Sequence, residues 1–142
     1  QPPEEHDRRL AAARRAAEAL GVPLCLQGGG EDEFAAICAG REELPEGGPR
    51  CRLCYELRLR TACAYAAAHG FDLVATTLTI SPHKPAAIIN PIGEHLAAAH
   101  GVRFLAADFK KQAGFQRSLA LSRELALYRQ DYCGCLLSRR RA

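Results

Sequence analysis

Between Glu4 and Leu20, small or apolar side chains recur at Leu10, Ala13, Ala17 and Leu20 with arginines between them, and Gly21 follows. That spacing predicts a helix closed at its C-terminus by the glycine. Val22-Pro23-Leu24-Cys25-Leu26 is a short apolar run bounded by Gly28-Gly29-Gly30, and it reads as a strand leading into a loop. Glu31 to Ala39 predicts a short helix, after which Pro45, Gly47, Gly48 and Pro49 punctuate the loop that delivers the chain to Cys51. From Arg52 to His69, Leu53, Leu57, Ala64 and Ala68 form one apolar side of a helix that Gly70 ends. Asp72 to Thr79 is nearly continuous in apolar character and rich in β-branched residues, the pattern of a buried parallel strand. Beyond Ser81-Pro82, Ile88 to His100 is helical, and Pro91 is expected to break it into an opening turn and a main helix from Ile92. Val102 to Ala107 predicts another strand, and Phe115 to Tyr128 another helix.

Strands alternating with helices define an α/β fold with a parallel sheet, because parallel neighbours need crossover connections. Residues 1–142 carry no internal repeat and no low-complexity linker, so a single domain is expected. Three strands make a small sheet, however, and the opening helix has no strand before it. With no methionine anywhere in the chain, the expectation is that further sequence precedes Gln1.

Composition narrows the class. An apolar share of 48% with 25% charged residues is that of a globular protein with a core and argues against disorder. No run of eighteen apolar residues occurs, so no membrane span is expected. A net charge of +3 says little alone, but Lys110-Lys111, Arg117 and the closing Arg139-Arg140-Arg141 are clusters that either meet phosphates or form a solvated basic surface. Cys25, Cys38, Cys51, Cys54, Cys63, Cys133 and Cys135 are an odd number of cysteines without a secretory leader, which points to the reducing cytosol and to metal binding or redox chemistry.

Cys51-Arg52-Leu53-Cys54 stands at the start of a helix, where free backbone N–H groups and the helix dipole favour thiolates. Redox pairs, zinc knuckles and iron-sulfur sites all use this spacing. Cys133-Gly134-Cys135 sets two sulfurs around a glycine turn, poorly placed for a relaxed disulfide but able to face a shared metal or relay electrons. The two pairs are expected to converge on one centre. Cys25, Cys38 and Cys63 lie in apolar contexts and are expected in the core. The segment Thr76 to Lys84 describes a strand end, a turn and a helix start, so Ser81 and Lys84 could meet a nucleotide backbone, or could be a plain N-cap with a solvated lysine. Asp108-Phe109-Lys110-Lys111 ends the next strand at the same sheet edge. Tyr128-Arg129-Gln130-Asp131-Tyr132 offers side chains that stack on bases or donate hydrogen bonds, though the tyrosines would equally anchor a chain end.

Taken in order, Arg50 to Ala62, Thr76 to Lys84, Asp108 to Lys111, Arg117-Ser118 and Leu127 to Cys135 resemble the QueH epoxyqueuosine reductases over nearly the whole chain. The stretch Tyr128-Arg129-Gln130-Asp131-Tyr132-Cys133-Gly134-Cys135 is its most specific element. The resemblance implies a cytoplasmic, monomeric oxidoreductase that removes the epoxide oxygen from epoxyqueuosine in the anticodon loop of tRNA, fed by an electron donor the sequence does not identify. It implies a Rossmann-like three-layer fold of the nucleotide α-hydrolase (HUP) type, here lacking its first strands. Cys51 and Cys54 match two ligands of a [4Fe-4S] cluster, and Cys133 and Cys135 match the sulfurs of an adjoining redox or metal site, for which an additional mononuclear iron is one occupant. Tyr128, Arg129, Gln130 and Tyr132 would complete the catalytic group, while Ser81, Lys84, Lys110, Lys111 and Arg117 would hold the RNA backbone. Family members open with a strand carrying a Cys-Cys-x-x-Cys motif that supplies the remaining cluster ligands; this sequence has none, so the chain is expected to be catalytically incomplete. The competing reading is a four-cysteine zinc module that binds RNA without chemistry. A tRNA-modifying ATPase of the PP-loop type is a third, but no SGGxDS-like phosphate loop is present.

Overall fold

A computed structural model describes residues 2–28 and 30–139, which form two compact units: a terminal unit from residues 2–28 and 116–139, and a central unit from residues 30–115. Gly29 of the glycine run and Arg140-Arg141 of the basic tail lie outside the described residues.

In the central unit, α2 (Glu31–Cys38) and the long α3 (Pro49–Ala68) lead to β1 (Leu73–Val74), a 3-10 turn (Thr77–Ile80), α4 (Ala86–Ala99) and β2 (Arg103–Phe104). The two strands are parallel, with Leu73 opposite Arg103 and Val74 opposite Phe104. Arg103 N–H donates to Asp72 O and Leu105 N–H to Val74 O, both at 2.9 Å. The α/β class and the parallel pairing expected from the sequence are present, with α4 as the crossover. Its core lies along α3, where Cys51, Tyr55, Leu59, Cys63 and Ala66 form a buried stripe. The first three pack with Ile89 of α4, the last two with Val74 and Ala97, and Phe104 touches both groups. Of the apolar side expected at Leu53, Leu57, Ala64 and Ala68 only Leu57 is buried, and Ala64 and Ala68 are exposed, because the larger Tyr55 and Leu59 turn the neighbouring face inward.

The strands are far shorter than expected. Thr76 Oγ1 accepts from Leu78 N–H at 3.2 Å and caps the 3-10 turn, so the predicted strand to Thr79 stops at Val74. A threonine that bonds its own neighbouring backbone competes with the ladder. Helix α4 begins before its predicted start and runs through Pro91 unbroken. The proline deprives only the Ala87 carbonyl of an intrahelical donor, and Ala87 lies at the surface where water can supply one.

The terminal unit contains α1 (Pro3–Leu20), most of α5 (Gly114–Glu124) and α6 (Leu136–Arg139). Pro3 and two first-turn glutamates suit the start of α1. At its end Gly21 takes a left-handed φ of 64°, and Val22 N–H returns to Ala17 O at 3.0 Å. The strand expected at Val22–Leu26 is absent: the segment has no ladder partner among the described residues, and Val22, Leu24, Cys25 and Leu26 are all exposed. Pro23 lacks an N–H to offer one. Helix α5 ends at Glu124 rather than Tyr128, because Ala126 adopts a left-handed φ of 48° and Leu127 N–H closes back on Ser122 O at 2.8 Å.

Among the described residues no helix is long and apolar enough to cross a membrane.

Candidate functional site

Cys51 and Cys54 lie one turn apart at the start of α3, on the central unit. Gly48 and Pro49 open that helix and leave the preceding loop close enough for Gly47 N–H to donate to Cys51 Sγ at 3.2 Å. Arg58, one turn further on, directs its Nε–H to Cys54 Sγ at 3.5 Å. Each sulfur therefore has a donor, and one of the donors is a cation. Arg50, almost fully buried, donates to the Arg41 and Glu42 carbonyls at 3.0 and 3.1 Å and so fixes the loop against the helix start.

Cys133 and Cys135 lie on the terminal unit, both half-buried. Gly134 between them is buried at φ 97°, a conformation that L side chains rarely adopt. Cys135 O accepts from Ser138 N–H at 2.9 Å and Ser138 Oγ–H at 2.7 Å, which ties the turn into α6. On the other side of the turn, Arg9 of α1 donates from Nη1 to Cys133 O at 3.2 Å and from Nη2 to Tyr132 O at 3.0 Å. Its guanidinium also stands 5.1 Å from the centre of the Tyr132 ring. Glu5, one turn before Arg9 and 8% exposed, accepts from Arg9 Nε at 2.6 Å and from the Tyr128 hydroxyl at 2.7 Å. The Tyr128 bond, with help from Arg9 and Arg8 and against the effect of burial, holds the Glu5 carboxyl below its ordinary range. The same bond pushes the Tyr128 phenol up. Tyr128, Tyr132, Asp131, Glu5 and Arg8 line a polar cavity of about 190 Å³. Arg129 turns instead to Ser122 Oγ at 3.0 Å, and Gln130 is exposed.

Two of the expected phosphate contacts serve the protein's interior. Lys84 is 8% exposed and pairs with Glu46 at 3.1 Å, with its ammonium 5.9 Å from the Tyr55 ring. Lys110 binds Asp108 at 2.5 Å and the carbonyls of Thr79 and Lys84 at 3.4 and 3.3 Å, clipping the loop after β2 to the turn after β1. Ser81 Oγ accepts from His83 N–H at 3.3 Å, the local cap that was the plainer of its two readings. Lys111 and Arg117 are exposed cations.

Among the three cysteines expected in the core only Cys63 is fully buried, and burial pushes its thiol up. Cys38 is half-buried; Cys25 is exposed because its strand did not form. Among the described residues no group of three or more His, Cys, Asp or Glu side chains is arranged to hold a metal ion. Sequence reasoning missed Glu5 and Arg9, which look like any helical pair four residues apart and carry no mark of the turn they hold.

Fold and site together define an α/β protein bearing two cysteine pairs, each with its own hydrogen-bonded surroundings. It belongs to the epoxyqueuosine reductase QueH family, whose family model matches residues 1–141. The chain is 43% identical over 105 residues to an epoxyqueuosine reductase QueH of Streptococcus pyogenes serotype M1, covering 74% of the chain and 41% of the relative. A Staphylococcus epidermidis relative of the same name is 39% identical over 99 residues, 70% of the chain and 42% of the relative. That of Dehalococcoides mccartyi is 35% identical over 136 residues, 94% of the chain and 70% of the relative. The chain thus spans only about two-fifths of the streptococcal and staphylococcal proteins.

Proposed function

We propose that the protein containing this chain carries out the reductive deoxygenation of epoxyqueuosine to queuosine in tRNA. The observation that carries this reading is the family match over residues 1–141 in a chain whose Cys-x-x-Cys sulfurs each have a hydrogen-bond donor. The balance is simple: the epoxide accepts two electrons and two protons, both C–O bonds break, and an alkene and water leave. The electrons come from a donor outside the chain, and the reaction belongs to the cytoplasm, where tRNA is modified.

Cys51 and Cys54 fit two positions of a [4Fe-4S] cluster in their donor chemistry. The remaining ligands would come from sequence present in the longer relatives. Such a cluster supplies single electrons at low potential. Cys133 and Cys135 would hold a second metal, of which mononuclear iron is one form, or act as a dithiol. Tyr128 and Tyr132, at the walls of the polar cavity, would stack on the modified base, with the exposed Gln130 turning towards it and Arg129 exchanging its Ser122 partner to do the same. Among the basic residues, Lys111 and Arg117 would touch phosphates directly; Lys84, Lys110 and Ser81 would shape the loops that lead to them. A Rossmann-like arrangement of the nucleotide α-hydrolase type, with further strands beside β1 and β2, is our reading of the complete fold, and the enzyme would act as a monomer.

The test is to express the chain within its longer protein, purify it anaerobically and assay epoxyqueuosine-containing tRNA with a chemical reductant. A brown protein with iron and acid-labile sulfide that forms queuosine is expected, with both lost on Cys51→Ser. A colourless protein holding one zinc and leaving the tRNA unchanged would favour the non-catalytic RNA-binding module instead.

A further inference from the structure

Glu5 and Arg9 do more than pin a chain end to a helix. A single contact would serve that purpose, whereas Arg9 places two N–H groups on the consecutive carbonyls of Tyr132 and Cys133. Holding two neighbouring carbonyls fixes the orientation of the peptide planes on both sides of Cys133. Beyond Gly134, Ser138 fixes the Cys135 carbonyl through two further bonds. The backbone bearing both sulfurs is therefore held from each end. Arg9 is itself fixed by Glu5, whose other oxygen takes the Tyr128 hydroxyl. Sinking a carboxylate this deeply is costly unless its partners compensate, and this one spends both oxygens on ordering the segment that leads into the sulfur pair. A lysine could not substitute at position 9, since its ammonium lacks the planar fork that spans two carbonyls and a carboxylate at once.

We propose that Glu5 and Arg9 are positioning residues for the Cys133/Cys135 pair, preorganising its two thiols to grip one ligand; this rests on the reading of that pair as a working metal or redox site. Their effect is exerted through the Tyr132–Cys133 backbone.

The test uses phenylarsine oxide, which condenses with two nearby thiols and releases water. The reduced 142-residue chain is equilibrated with the reagent, free thiols are trapped with N-ethylmaleimide, and protection is read by mass on the tryptic peptide Gln130–Arg139, which carries both cysteines. Arg9→Lys is expected to need about tenfold more reagent for half-protection, the scale of losing one preorganising contact. Arg60→Ala, which removes an exposed arginine of the central unit, should match the wild type. A folded Arg9→Lys chain with wild-type protection would overturn the proposal, and so would an equal loss of protection at Cys51 and Cys54, the sign of general loosening. Should Arg9→Lys fail to fold, Glu5→Gln replaces it: it keeps an acceptor for Tyr128 but weakens the hold on Arg9. A several-fold loss is expected there, and none would again refute the proposal. In the longer enzyme Arg9→Lys should lower kcat with KM unchanged. If wild-type enzyme reduces no tRNA, the functional reading fails while the arsenical measurement still decides the positioning role.

Discussion

Replacing Gly93 by alanine sets two effects of opposite sign against each other. In α4 an alanine is a better helix former than glycine by about 1 kcal/mol, so propensity alone predicts stabilisation. Packing predicts the reverse. A Cβ at Gly93 would lie 2.3, 2.5 and 2.6 Å from the Phe104 ring atoms Cζ, Cε2 and Cε1, where carbon atoms rest at about 3.5–4.0 Å. The ring would have to retreat by about 1 Å, yet it packs against both core groups of the central unit. Overpacking of this kind costs about 1–3 kcal/mol, and a rigid ring on a short strand puts it towards the upper end. The net expectation is a loss of about 1–2 kcal/mol, or about 3–8 °C in Tm for a chain of this size. Thermal and urea unfolding followed by circular dichroism measure it. Phe104→Leu should remove the clash, so the double variant should fall short of the sum of the singles by about 1–2 kcal/mol. If Gly93→Ala proves as stable as the wild type, the close approach of α4 to β2 is not what holds this unit together.

Four further outcomes follow from named contacts. Lys84→Ala should cost about 1–2 kcal/mol, between an exposed and a buried ion pair because Glu46 is partly solvated; if the protein binds tRNA as proposed, it should leave the salt dependence of binding unchanged, whereas Lys111→Ala should flatten it. Ala113 has a left-handed φ of 60°, so Ala113→Gly should stabilise the loop by about 0.5–1 kcal/mol in chemical denaturation. Native-state alkylation should label Cys25 quickly and Cys63 only on unfolding, because the latter is fully buried with its thiol pushed up. The Glu5–Tyr128 bond has a two-sided pH signature. The lowered carboxyl contributes stability above its unfolded value near 4.5 that is lost as pH falls through its folded one, and the raised phenol contributes stability below about 10 that is lost as pH rises through its folded value. Phenolate absorbance should place the Tyr128 midpoint lower in Glu5→Gln.

The sequence announced helices well and strand lengths badly, for a physical reason. Apolar spacing along α1, α3 and α4 is a property of each helix alone, and proline or glycine marks most of their ends. A strand exists only opposite a partner. Val22–Leu26 and the stretch after Val74 have strand-like composition, but the first meets no ladder among the described residues and the second is taken over by the Thr76 cap. The same dependence misled the reading of Cys25, judged by its neighbours in sequence rather than by what covers it. At Ala126 the helix ends on a residue that carries no stop signal; only the return of Leu127 N–H to Ser122 O reveals it.

For the site, residue type was legible and direction was not. The cysteine pairs stood out by spacing, but a lysine at a strand end reads the same whether it faces a phosphate or the protein. Lys84 and Lys110 face the protein: one is neutralised by Glu46, and the other is satisfied by Asp108 and two carbonyls. A cation already paired inside releases few counterions when a nucleic acid arrives, so it adds little to the salt slope. Under the proposed function, the electrostatic attraction for tRNA would then come from exposed groups such as Lys111 and Arg117, and a salt titration of their single and double alanine variants would count the phosphates each one meets. Slopes that fall by about one unit per variant fit this division of labour, while a slope that moves only with Lys84 would return the interior lysine to the binding face.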